Sequence, residues 1–295
     1  MEAHSKPAAN PMVASFQHFA GGAPNERMDS FDWNSHGISI PYVIFFAGRC
    51  GSTLLTRLLK SSGLCGLPDE FFNDTAFYNR SIKANTFPEY FSGLVREHSS
   101  HGRFGFEIDP IRFASLRQLL NFTGIFPPEI TSLFWMTRRN IVAQAWSFAK
   151  AKVSGVWHLD QWGLVPDAVD SGIVTDRDVW REIALVLRGE QSMEAFFSEY
   201  DLKPCRIDYE MLVADKNATM IKVLRHLECP VTGVIEFLAH NAKETERQTY
   251  SDRDKFIALF FDKYRSKLDE IERERNSIDV GKLKTWLKTE HNILP

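Results

Sequence analysis

Tyr42 to Phe72, YVIFFAGRCGSTLLTRLLKSSGLCGLPDEFF, restricts the fold of this chain more than any other stretch. It opens on a short apolar run, Tyr42-Val43-Ile44-Phe45-Phe46, aromatic and β-branched with no polar alternation. That pattern predicts a strand buried on both faces. A small polar turn follows, Ala47-Gly48-Arg49-Cys50-Gly51-Ser52-Thr53, with a single cation. Leu54, Leu55, Leu58 and Leu59 then recur at helical spacing, and Gly63 closes the helix. A strand, a glycine turn and a helix N-terminus together bind phosphate-like anions, because free backbone N–H groups and the helix dipole face one space.

The turn is not a Walker A loop, which needs G-x-x-x-x-G-K-[ST]. Here Gly51 runs straight into Ser52-Thr53 with no lysine between, and the cation stands earlier, at Arg49. An ordinary glycine turn would not need an arginine, two glycines and two hydroxyls so close together. The segment Arg49-Cys50-Gly51-Ser52-Thr53-Leu54-Leu55 resembles the phosphosulfate-binding loop of sulfotransferases that use 3′-phosphoadenosine 5′-phosphosulfate (PAPS). In the bacterial trehalose 2-sulfotransferase family that loop reads R-S-G-S-T-L-L. Gly66-Leu67-Pro68-Asp69-Glu70-Phe71-Phe72 is similar to the G-x-P-x-E-F-F segment that carries the family's catalytic glutamate, and the likeness continues to around Arg265.

Composition bounds the rest. At 295 residues, 44% apolar and 25% charged, the chain can build one large α/β domain with a sizeable core. A net charge of −3 argues against bulk nucleic-acid binding, so an anionic ligand must be met by a few local cations. No apolar run is long enough for a membrane span, and no signal peptide opens the chain, which predicts a cytoplasmic protein. Cys50, Cys65, Cys205 and Cys229 lack metal-ligand spacing, and His98 with His101 lacks a third ligand, so no metal is expected. Residues 1–37 are rich in Ala, Gly, Pro, Asn and Ser and are read as a mobile tail, with residues 38–295 as one domain. Phe16, Phe19, Phe31 and Trp33 are candidates for contact with the body.

Further strands are predicted at 104–108, 131–136 and 205–209. Helices are predicted at 81–101, 111–122, 141–152, 176–200, 216–228 and from 252 onward, with a polar tail. The segment 154–174, carrying Trp157, His158 and Trp162, reads as a lid or substrate loop. Strands alternating with helices imply an α/β fold: a mostly parallel sheet flanked by helices around a P-loop-like core.

The resemblance then assigns roles. Arg49, Cys50, Gly51, Ser52, Thr53 and Leu54 form the donor loop, with Arg49 also stabilising the leaving phosphate. Glu70 is the general base, walled by Phe71 and Phe72; the alternative is a cap on a helix beginning at Phe71. Sulfotransferases bind the donor's 3′-phosphate with an Arg at a strand end and a Ser eight residues on, which here are Arg139 and Ser147. Arg138 serves if the register shifts by one. Tyr209, expected to end a strand, and Arg247 would lie near the nucleotide. Two positions depart from the trehalose enzymes. Leu67 replaces an acidic residue, and Glu107 replaces a lysine, where it would bind substrate or pair with Arg112 or Arg138. Both departures put trehalose itself in doubt. The implied activity is metal-free sulfuryl transfer from PAPS to a hydroxyl of a saccharide, glycolipid or related small molecule, by a possible homodimer. Two alternatives stay open: an ATP-dependent P-loop kinase, with Asp109 as metal-holding carboxylate, and a non-catalytic nucleotide-binding protein.

Overall fold

The computed structural model describes residues 27–73, 82, 84, 86–157, 173–232 and 253–291. Among the described residues four parallel strands form one sheet in the order β2-β1-β3-β4. They are β1 (Ile40–Phe46), β2 (Arg103–Ile108), β3 (Ser132–Thr137) and β4 (Cys205–Asp208). All seven residues of β1 are buried. Val43 and Phe45 enter one core cluster, while Tyr42, Ile44 and Phe46 enter another on the opposite face. Each such side chain contributes about 1.5–3 kcal/mol by burial, so β1 is the strand whose loss the fold tolerates least.

Helices α1 (Ser52–Ser62), α7 (Tyr209–Ala214) and α8 (Lys216–His226) cover the Tyr42 face through Leu55, Leu58, Leu59, Leu212, Val223 and Leu224. The Phe45 face is covered by α2 (Phe87–His98), α3 (Pro110–Leu119), α4 (Phe122–Ile125), α5 (Ile141–Ser154) and α6 (Asp176–Glu199). Two further helices, α9 (Arg253–Glu274) and α10 (Val280–His291), pack there too. Among the described residues no helix is long and apolar enough to cross a membrane.

Several boundaries differ from expectation. Helix α2 starts at Phe87, not at 81, because Thr86 caps it by accepting from Glu89 N–H and Pro88 occupies its first turn. The single helix expected at 111–122 is two, broken at Leu120, whose backbone is extended. The end of the chain is not simply polar: Val280, Leu283 and Leu287 of α10 are buried in the main core. Within the span expected as a tail, residues 28–37 are docked. Met28 N–H donates to Leu119 O at 2.9 Å, and buried Trp33 donates its indole N–H to Ile125 O at 2.5 Å. Phe31 and Trp33 both pack on Phe91, while Phe16 and Phe19 lie outside the described residues.

Candidate active site

The strand order reverses at β1, with β2 on one side and β3 on the other. In parallel sheets that reversal opens a crevice at the carboxyl ends of the strands. The turn after β1 and the turn after β3 therefore face each other. Phe46 and Met136 are register partners at the carboxyl ends of the two strands, and Ala47 N–H donates to Met136 O at 3.3 Å.

The loop after β1 is fixed from below. Gln144 of α5 is fully buried and donates its amide to Ala47 O at 3.3 Å and Gly48 O at 2.9 Å. A Cβ on Gly48 would collide with the Phe148 ring. Gly51 has φ +90°, and a Cβ there would lie 2.5 Å from the Tyr209 ring. Arg49 is also left-handed, at φ 63°, a region that costs a non-glycine residue about 1 kcal/mol or more and clusters at ligand sites. Gly51 caps α1 with no side-chain hydrogen bond, and among the described groups it is the Cys50 thiol that meets the Ser52 N–H of that first turn. By contrast, the N-termini of α3, α5, α7 and α8 are capped by Asp109, Asn140, Asp208 and Asp215.

Cys50 is fully buried, and burial pushes its thiol well above its ordinary value, so only its backbone is available to a ligand. Ser52 is buried, Thr53 is half-buried, and Leu54 packs partly against the core.

Cations converge on this loop. Arg49 donates Nε–H to Ser147 Oγ at 3.1 Å and Nη1–H to Trp157 O at 2.7 Å. Arg138 reaches Arg49 O at 3.5 Å and lies over the Tyr209 ring, 4.5 Å from its centroid. Burial pulls the Arg138 guanidinium below its ordinary value, and its buried Nε has no hydrogen-bond partner. Arg139 points elsewhere. Its exposed side chain pairs with Asp208 at 3.2 Å and Glu210 at 3.8 Å. The Glu210 carboxylate also accepts from the N–H groups of Arg139 and Asn140 at 3.0 and 3.2 Å. Ser147 is thus joined to Arg49, not to Arg139. Tyr209 begins α7 instead of ending β4, because the Asp208 carboxylate accepts from Met211 N–H at 2.8 Å and turns the chain into a helix. Arg247, with His158 and Trp162 of the expected lid, lies outside the described residues.

On the β2 side stands Glu70. No helix begins at Phe71, so the capping alternative fails; Asn73 N–H closes a turn onto Glu70 O at 3.1 Å. Phe71 and Phe72 do not wall a cleft. They are buried in the core, where Phe71 meets Phe104 and Phe72 meets Phe106, and they anchor the backbone that presents Glu70. Asn73 donates its side-chain amide to Glu70 Oε2 at 2.9 Å and accepts from Arg112 Nη2–H at 3.2 Å. Arg112 also pairs with Asp109. Asp109 in turn caps α3, so it is not poised as a metal carboxylate. Burial raises the Glu70 carboxyl above its ordinary value, against the Asn73 hydrogen bond and the Arg112 charge; Asp109 and Asp69 add to the rise.

Glu107 forms neither expected ion pair. It is 4% exposed beneath α1 and accepts from Thr56 Oγ1–H at 3.4 Å. Glu70 and Ser52 both act on its carboxyl, so it connects the glutamate to the start of α1.

Sequence reasoning missed Gln144 and Asn73. Gln144 belongs to no motif and Asn73 only to a chance N-x-[ST] match, although a polar residue on the apolar helix α5 and an amide three residues after Glu70 were visible signals.

The family profile described as Stf0 sulphotransferase matches residues 41–100 and 119–258. The chain belongs to that family and is a sulfotransferase. No curated protein matches it in sequence. Among solved structures it is similar to the sulfotransferase STF9 from Mycobacterium avium. That likeness is 11% identity over 87% of this chain and 81% of that one, with a TM-score of 0.40, too slight to transfer residue roles.

Proposed function

We propose that the chain transfers the sulfuryl group of PAPS to a hydroxyl of a saccharide, glycolipid or related small molecule. The observation that carries this reading is the first turn of α1, which its N-cap Gly51 leaves without a side-chain cap, following a loop whose Arg49 is tied to Ser147, with Glu70 linked to the same helix start through Glu107.

The residues fit a phosphosulfate. The N–H groups of Gly51 and Thr53, with the hydroxyls of Ser52 and Thr53, offer a donor set for several anionic oxygens. Arg49 adds a planar fork matched to such a group. In the transfer, the acceptor hydroxyl oxygen bonds to sulfur as the bridging S–O bond to the 5′-phosphate breaks. The hydroxyl proton passes to Glu70, and the electron pair leaves on the phosphate of 3′-phosphoadenosine 5′-phosphate (PAP). Catalysis is then alignment plus stabilisation of that leaving charge. A carboxylate with a raised pKa is the better base.

Ser147 and Arg139 hold the 3′-phosphate on this reading. Arg139 must then turn from Asp208 and Glu210. The Arg139 end of these pairs is 68% exposed and screened by solvent, so the guanidinium can exchange them for charge-assisted bonds to a phosphate. Tyr209 and Arg138 border the same space and serve the nucleotide; Arg247 joins them by resemblance alone. The same reading has the enzyme working in the cytoplasm as a homodimer.

A screen of labelled PAPS over cell-envelope saccharides and glycolipids, with EDTA present, tests the proposal. Label in an acceptor hydroxyl is the expected result. Transfer from ATP with magnesium, and none from PAPS, would refute it.

A further inference from the structure

We propose that Glu107 is a positioning residue of the donor site that works as a neutral acid, and that its ionisation drives the anionic donor out. This rests on the donor reading given above.

Glu107 lies on the α1 face of β2. A Cβ on Gly105, two residues earlier, would strike Tyr42, a member of the cluster under α1. The Glu107 side chain is 4% exposed. Oε1 accepts from Thr56 at 3.4 Å, while buried Oε2 has no hydrogen-bond partner. Ser52 approaches the same carboxyl and opens the helix whose N-terminus receives the donor.

The charges that face Glu107 are mostly of its own sign. Glu70 and Asp69 approach from the segment before β2, and Tyr42 of β1 and Cys50 of the loop are ionisable neighbours. Lys60 of α1 is the cation acting on it, and Lys60 is already bonded to Asp69 at 3.0 Å. Arg112 is engaged by Asp109 and Asn73, and Arg138 by the Arg49 carbonyl. A bare carboxylate in that setting lacks the partners a buried charge needs, so the proton stays on. Burial first, and then Glu70, push the Glu107 carboxyl up to about 8.

Two consequences follow at neutral pH. Glu107 bonds its neighbours without adding charge beneath the phosphosulfate, and the role of base is left to Glu70. When Glu107 ionises, a second buried negative charge stands behind Ser52, and it repels the donor across a low-dielectric gap.

The test is PAP binding by calorimetry from about pH 7 to about pH 9.5, where the phosphates of PAP are already ionised. In the unaltered protein, affinity falls by about tenfold or more across that range, and near pH 8.5 binding takes up close to one proton, read from two buffers of different ionisation heat. Glu107→Gln abolishes both the fall and the uptake. An unaltered protein that binds PAP with no fall and no uptake overturns the proposal even if the variant does not fold. The same slope in Glu107→Gln also overturns it while leaving the donor reading intact. Failure of the unaltered protein to bind PAP at any pH refutes the donor reading, and this inference with it.

Discussion

Arg49 Nε–H donates to the hydroxyl of Ser147 at 3.1 Å, tying the loop after the first strand to the middle of the helix after the third. The two residues stand 98 positions apart, and the strand order alone brings them together. Replacing Ser147 with alanine removes one hydroxyl contact to the donor and leaves Arg49 less restrained. PAP affinity falls by about tenfold, the equivalent of about 1.4 kcal/mol. Titration calorimetry checks this, and unchanged affinity would remove Ser147 from the donor site.

Glu70→Gln keeps the shape of the side chain and its contact with Asn73 but cannot accept a proton. Turnover falls by about two or more orders of magnitude while PAP still binds. The pH profile of the unaltered enzyme carries a matching sign. A base acts when deprotonated, and burial raises the Glu70 carboxyl. Activity therefore rises with pH through a midpoint above the ordinary glutamate value and is lost below it. A rate that is flat through the acid range, or a Glu70→Gln enzyme with full turnover, would show that another group takes the proton.

Arg139→Ala separates the two ends of the donor. Loss of charge-assisted bonds to the 3′-phosphate weakens PAP by about 10- to 100-fold. Adenosine 5′-phosphosulfate, which lacks that phosphate, changes by less than about threefold. Competition binding of both ligands gives the ratio. Equal losses would mean that Arg139 serves only its ion pairs with Asp208 and Glu210.

Gly51→Ala imposes a Cβ at φ +90° and against the Tyr209 ring. Strain and displacement of the ring together cost about 1–3 kcal/mol of stability. Donor affinity falls further than that of Gly63→Ala, whose glycine is also left-handed but whose Cβ meets open space. Denaturant melts and PAP titrations of the two variants make the comparison. Equal donor affinity in both would show that the loop backbone is not a ligand.

The sequence carried the architecture well where pattern and physics coincide. The unbroken apolar run 42–46 is a central strand, the glycines at 51 and 63 bound α1, and the order of strands and helices gives a parallel sheet. It carried less where side-chain polarity overrides local pattern. Asp208 turned Tyr209 from strand into helix, and Thr86 with Pro88 delayed α2. Least legible were contacts across the fold. Nothing local to Arg139 announces Asp208 and Glu210, and nothing local to Glu107 says that its carboxyl is sealed under α1 away from Arg112 and Arg138. Phe71 and Phe72 look like cleft walls beside Glu70, yet their large apolar area is better buried in the main core.

The most direct measurement is a thermal-shift comparison of the purified chain with PAP in EDTA beside ATP with magnesium. The account predicts a clear rise in melting temperature with PAP that needs no metal, because on the proposed reading amides, hydroxyls and arginines hold the donor. Stabilisation by ATP with magnesium alone, and none by PAP, would contradict it.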